Sequence, residues 1–234
     1  MGQKKLQRFA EIKTFDNVLE YPKDIKGNWK SFFKNENAIT LELACGKGEY
    51  ALGLGRIYAD RNFIGVDLKG NRIWRGAKTA IDEGLNNVGF LRSQIDKIND
   101  YFELGEVKEI WITFPDPQLR GSKIKKRLTH PRFLRLYQQI LAKDGVVHLK
   151  TDSPHLYDFT LKVIELFQLE LLEANDNVYK DLQVPAELAI KTHYESLDIA
   201  GENKVHHIVF KINKDLPLEK DVELKVLCGV ESDD

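Results

Sequence analysis

Short apolar runs, each about one strand long, alternate along this chain with longer stretches in which apolar residues recur every three to four positions. Ile39–Ala44, Asn62–Asp67, Val88–Leu91, Val107–Phe114, Gly145–Lys150, Leu169–Leu172 and Val205–Ile212 read as strands. Between them, Glu49–Tyr58, Lys69–Glu83, Pro131–Leu141 and a segment opening at Pro154 read as helices. In the second of these, Ile73, Trp74, Ala77, Ala80 and Ile81 share a face, and Gly84 ends it. Shorter helices are predicted at Lys26–Asn35 and Ile95–Phe102, and residues 175–201 are polar and irregular. Strands alternating with helices imply an α/β fold, with a mostly parallel sheet covered by helices on both faces. The predicted organisation is a basic arm with a short helix over 1–36, one domain over 37–214 and a tail over 215–234.

In such sheets ligands bind outside the carboxyl ends of the strands. The first strand runs into Cys45-Gly46-Lys47-Gly48, where glycines permit a sharp turn and close approach of a ligand; with Ala51 the spacing is G-x-G-x-x-A. The next strand ends at Asp67, about 20 residues on, where a ribose-binding carboxylate falls in such folds. Later strands end at Asp116, between Pro115 and Pro117, and at Asp152. These ends share one rim, which makes it the predicted site. Each acid has a plainer alternative. Glu42, inside the first strand, needs a partner if buried, either a ligand or the amides of its own glycine turn. Asp67 suits a strand-end turn, and Asp152 the N-cap region before Pro154.

Composition narrows the class. With 42% hydrophobic and 30% charged residues in 234, the chain can bury a core, and no apolar run approaches the roughly 20 residues of a membrane helix. The start lacks the apolar stretch of a signal peptide. Cys45 and Cys228, far apart and without C-x-x-C, read as reduced thiols of a cytoplasmic protein; with scattered histidines they predict no metal site. Trp74, Trp111 and His148 read as core, and His206 and His207 as non-ligands. The net charge of −1 hides an uneven distribution. Lys4, Lys5, Arg8 and Lys13 are clustered, as are Arg120, Lys123, Lys125, Lys126 and Arg127, while Glu231, Asp233 and Asp234 close the chain. The second basic group follows Asp116 in a loop with Gly121 and Ser122, which predicts a flexible phosphate-holding loop beside the rim; ordinary solvated surface is the alternative.

Leu41-Glu42-Leu43-Ala44-Cys45-Gly46-Lys47-Gly48 resembles the first motif of class I S-adenosylmethionine-dependent methyltransferases, and Gly65-Val66-Asp67 is similar to their second. Phe114-Pro115-Asp116-Pro117 with its basic loop, Lys150-Thr151-Asp152 and Thr192-His193-Tyr194-Glu195 together resemble the bacterial tRNA (guanine-N7-)-methyltransferases, over about residues 38–212. The resemblance implies a Rossmann-like, seven-stranded sheet with the last strand antiparallel. It implies methyl transfer from S-adenosylmethionine to guanine N7 at position 46, in the variable loop of tRNA. It places Glu42, Gly46, Gly48, Asp67 and Gln94 at the cofactor and makes Asp116 the catalytic acid. Asp116, Arg120, Asp152, Thr192, His193, Tyr194 and Glu195 are placed at the substrate. Gln118 stands where tryptophan is usual, and the loop position where the family carries an acid or amide aligns with Gln94, with Asp96 nearby. tRNA is the expected partner, with monomer and homodimer both open. A nicotinamide-dependent oxidoreductase explains the glycines and Asp67 but not the basic loop, and the chain lacks an obvious Tyr-x-x-x-Lys. A non-catalytic RNA-binding protein of the same fold is the remaining alternative.

Overall fold

The computed structural model describes residues 2–180, 183–196 and 204–229. The acidic end with Glu231, Asp233 and Asp234 lies outside the described residues. Eight strands form one sheet in the order β1-β4-β3-β2-β5-β6-β8-β7. They are β1 (Val18–Glu20), β2 (Ile39–Leu43), β3 (Asn62–Asp67), β4 (Val88–Arg92), β5 (Val107–Thr113), β6 (Leu141–Thr151), β7 (Glu170–Asn175) and β8 (His206–Lys211). Every pairing from β1 to β6 is parallel; β8 runs antiparallel between β6 and β7. The helices are α1 (Gly2–Glu11), α2 (Trp29–Phe33), α3 (Glu49–Ile57), α4 (Gly70–Asp82), α5 (Pro131–Gln138), α6 (Pro154–Leu166), α7 (His193–Ser196) and α8 (Lys220–Leu227). None among the described residues is long and apolar enough to cross a membrane.

The seven expected strands are present, and an eighth joins them. Val18–Glu20 pairs with β4 at the sheet edge, so the segment read as an arm contributes to the sheet. Three residues are too few to show a period of two. The expected tail is also tied down: Arg135 holds Asp221 with two hydrogen bonds of 3.0 and 2.7 Å, and Leu224 is fully buried. The helix read as Pro131–Leu141 stops at Gln138, because β6 begins at Leu141, paired with Val107.

Alternating strand residues feed two cores. Leu41, Leu43, Ile110, Ile112, Val147, Leu149, Ile208 and Phe210 face α2, α5, α6 and α8. Phe63, Phe90 and Trp111 face α3 and α4. That second side also carries Glu42, Glu109, His148 and Lys150, one position off the first set, so the sheet's inner surface there is partly charged. His148 lies 2.8 Å from Glu109 and 3.2 Å from His207, and stacks on Trp111 at 4.0 Å. Trp111 is core as expected, whereas His148, read as buried, is half-buried.

Candidate active site

The rim at the carboxyl ends of β2, β3, β5 and β6 encloses a cleft of about 560 Å³. Its lining includes Glu42, Gly46, Asp67, Asp116, Asp152, Thr192 and His193. Lys47 of the glycine loop lines it as well, as do Thr113, Lys69 and Arg72, which belong to no motif.

The glycine loop is shaped by backbone requirements. Gly46 and Gly48 have φ of 58° and 71°, in the left-handed region where side chains are disfavoured. A Cβ on Gly48 would lie 2.4 Å from the Phe90 ring, so this glycine serves packing and is not in the cleft lining. A Cβ on Gly46 would meet nothing within 4 Å, because that side opens to the cleft. Two non-glycine residues share the unusual conformation at neighbouring strand ends: Ala44 after β2 (φ 56°) and Phe114 after β5 (φ 46°). Such residues cost about 1–2 kcal/mol each and persist where the surroundings over-determine them. Here they turn the chain directly into the glycine loop and into Pro115-Asp116-Pro117.

Glu42 is 2% exposed. One carboxyl oxygen accepts the Ala51 N–H at 2.8 Å and the other the Thr113 hydroxyl at 3.4 Å. It therefore ties β2 to the first turn of α3 while also lining the cleft. Burial pushes its pKa up to about 8, against the pull of the Ala51 N–H. Burial likewise holds the adjacent Cys45 thiol well above its usual range, so it is no nucleophile. Asp67 accepts the Gly46 N–H at 2.9 Å and the Lys69 N–H at 2.7 Å, which ties β3 to the glycine loop. A carboxylate has about four acceptor positions, so two donors leave room for hydroxyl groups of a ligand.

Asp116 is exposed, and its carboxylate accepts the Gln118 N–H at 2.9 Å. The flanking prolines restrict its backbone and so its direction. Asp152 is not the cap of α6: Ser153 takes that place, accepting the Leu156 N–H at 3.2 Å, and Asp152 is left facing the cleft.

The family model described as "Putative methyltransferase" matches residues 36–208. The tRNA (guanine-N(7)-)-methyltransferase of Christiangramia forsetii is 46% identical over 91% of this chain and 100% of its own length. That of Bacteroides thetaiotaomicron is 42% identical over 97% of this chain and 93% of its own. The chain belongs to the tRNA (guanine-N7-)-methyltransferase family. The solved 16S rRNA methyltransferase KamB shares the fold, with a TM-score of 0.59 at 14% identity over 82% of this chain and 94% of that one.

Not every position that the family resemblance suggested reaches the cleft. Gln94 is exposed before a 3-10 turn at Ile95–Asp100, outside the lining. Arg120 is exposed at the start of the 3-10 turn Gly121–Lys126 and also outside it. Tyr194 falls on α7, with its side chain outside the described residues. Glu195 turns away from the cleft: both its oxygens lie 3.0 Å from the Lys150 ammonium. Thr192 and Glu195 form a reciprocal pair, Thr192 N–H to Glu195 at 3.3 Å and Glu195 N–H to the Thr192 hydroxyl at 3.2 Å. The T-x-x-E segment is thus a capping box that starts α7.

The basic loop, read as too charged to be core, is in part buried. Ile124 is buried in its middle. Arg127 is 8% exposed, lies 4.5 Å above the Phe159 ring, and donates to the Pro117 and Gln118 carbonyls at 3.1 and 3.2 Å. It braces the turn that carries Asp116. Lys125 and Lys126 remain exposed.

Proposed function

We propose that this protein transfers a methyl group from S-adenosylmethionine to N7 of guanine 46 in the variable loop of tRNA. The observation that carries the reading is the convergence of the glycine loop and Asp67 with Asp116, Asp152 and Thr192 on a single cleft. The residues present fit the cofactor. The cleft has the volume of a small-molecule site, the glycine loop is open on the cleft side at Gly46, and Asp67 retains acceptor capacity for a ribose. Glu42, Gly46 and Asp67 hold it on this reading. Bound there, it supplies a methyl group already activated on a sulfonium.

Guanine N7 is an unprotonated in-plane nitrogen at neutral pH, so no residue has to act as a base. The task of the chain is to hold the purine in line, a matter of proximity and orientation. Asp116 can accept hydrogen bonds from the guanine N1–H and 2-amino group, and its charge stabilises the positive charge arriving on the purine. Asp152, Thr192 and His193 complete the purine side of the cleft. Lys47, Lys69 and Arg72 on the rim, with Lys125 and Lys126 outside it, suit the phosphates of the RNA. The substrate and the free thiols Cys45 and Cys228 fit a cytoplasmic enzyme.

The test is transfer to unmodified tRNA in vitro with isotopically labelled S-adenosylmethionine, followed by nuclease digestion and mass spectrometry. Labelled 7-methylguanosine mapped to position 46 is expected. Labelled product at another atom or position contradicts the assignment, and bound tRNA without transfer supports the RNA-binding alternative.

A further inference from the structure

β6 ends in Lys150-Thr151-Asp152, and the lysine is the anomaly. It stands in an apolar strand, it is fully buried, and nothing in the proposed chemistry uses it. Long cationic side chains are rarely buried completely unless several acceptors converge on them. Here they do. The ammonium donates to the Leu188 carbonyl at 2.8 Å, to the Ile190 carbonyl at 3.0 Å and to both oxygens of Glu195 at 3.0 Å. The rings of Tyr50, Phe114 and Tyr179 lie 5.4–5.6 Å from it. Tyr179 also contacts Glu195 through its hydroxyl. The Glu195 side chain is 5% exposed.

Three acceptors within eight residues of one segment meet at a single charge. That segment, between β7 and β8, contains only one short helix among its described residues, α7, and no strand. Its path over the sheet is set by what it touches. Thr192 and His193 lie inside the span that Lys150 gathers and are the part of it that lines the cleft. From the other side, the Lys150 carbonyl accepts the Phe114 N–H at 2.8 Å, immediately before Pro115-Asp116-Pro117. Two residues after Lys150 comes Asp152. One residue thus connects all three groups assigned to the purine.

We propose that Lys150 is a positioning residue for methyl transfer: its buried ammonium, paired with Glu195, sets the 188–195 segment so that Thr192 and His193 face Asp116 and Asp152 across the cleft. Glu195 then acts through Lys150 and the capping box and does not touch the substrate. This rests on the function proposed above.

Breaking one half of a buried pair leaves an uncompensated charge, whereas replacing both by apolar residues is often tolerated. The informative variant is therefore Lys150→Met/Glu195→Leu, compared with wild type for melting temperature, S-adenosylmethionine affinity by calorimetry, and kcat and KM with tRNA. The double variant is expected to fold and to bind S-adenosylmethionine within about threefold of wild type, because the glycine loop, Glu42 and Asp67 are untouched. The kcat for tRNA is expected to fall at least about 30-fold, the scale on which small misplacement of aligned groups acts. A folded double variant with wild-type kcat overturns the inference and leaves the proposed function standing. If wild type itself transfers no methyl to tRNA, the function fails and this inference with it. Should the double variant not fold, Lys150→Arg keeps the charge but forces a larger head between the Leu188 and Ile190 carbonyls. Its kcat is expected to fall about tenfold or more with cofactor affinity retained, and a wild-type kcat there also overturns the inference.

Discussion

The chemistry proposed here turns on single carboxyl groups in unlike settings. Asp116 is exposed and fixed by prolines; Glu42 is buried and hydrogen-bonded. If Asp116 orients the purine and stabilises its charge, Asp116→Asn should keep the fold and cofactor affinity. The transfer rate should drop by about 10²–10³, the usual consequence of losing one preorganised electrostatic group. Since N7 needs no deprotonation, single-turnover rates of the variant should stay flat between about pH 6.5 and 9; recovery of the wild-type rate at high pH indicates a general base instead. Glu42 behaves differently. Burial raises its pKa to about 8, so the free protein holds it largely neutral at pH 7. A group raised in this way favours the fold below its unfolded pKa of 4.5, and that contribution is lost as pH rises through 8. A bound sulfonium or ammonium nearby favours the carboxylate. Binding of S-adenosylmethionine at pH 7 should therefore release up to about one proton, falling toward zero above pH 9. Calorimetry in buffers of different ionisation enthalpy measures this, and proton-neutral binding at pH 7 removes Glu42 from the cofactor's surroundings.

Among the elements, the loop after Asp116 is where charge and packing part company. Lys125 and Lys126 are exposed and Lys123 half-exposed, whereas Arg127 is spent on the Pro117 and Gln118 carbonyls. Neutralising the three lysines together should reduce the slope of log affinity for tRNA against log salt by about 2 and leave cofactor binding intact. Arg127→Ala should leave that slope unchanged while slowing transfer, because it loosens the turn that carries Asp116. An unchanged slope in the triple lysine variant makes the loop plain surface. The sequence distinguishes these roles poorly. A run of basic residues has no period, and burial of one member depends on Phe159 of α6, far away in the chain. The main strands were legible because their apolar runs are bounded by glycines, prolines and acids; Asn62–Asp67 was read residue for residue. Val18–Glu20 was not, since an edge strand of three residues carries no pattern. The T-x-x-E capping box was visible as a motif, but its closure onto Lys150 was not. The available clue was a lysine inside Val146-Val147-His148-Leu149-Lys150, where an apolar residue belongs.

At the scale of the whole molecule, the fold brings four strand ends, separated by up to about 110 residues in sequence, onto one rim. That much follows from a parallel sheet and was legible: Asp67, Asp116 and Asp152 all reach the cleft. What the sequence could not convey is which side chains the sheet's second face withholds from the site. Glu195 belongs to the motif but is turned inward by the Lys150 ammonium, while Thr113 and Arg72 belong to no motif and line the cleft. The function proposed for this cleft is delivery of a methyl group to one nitrogen of one guanine in a folded tRNA. The most direct measurement compares two synthetic tRNAs as acceptors, one with guanine and one with 7-deazaguanine at position 46, identical elsewhere. Binding within about threefold is expected for the two, because 7-deazaguanine keeps the N1–H and 2-amino group that Asp116 is proposed to recognise. Transfer to the guanine tRNA only is expected, and methylation of the 7-deazaguanine tRNA at a comparable rate overturns N7 as the acceptor.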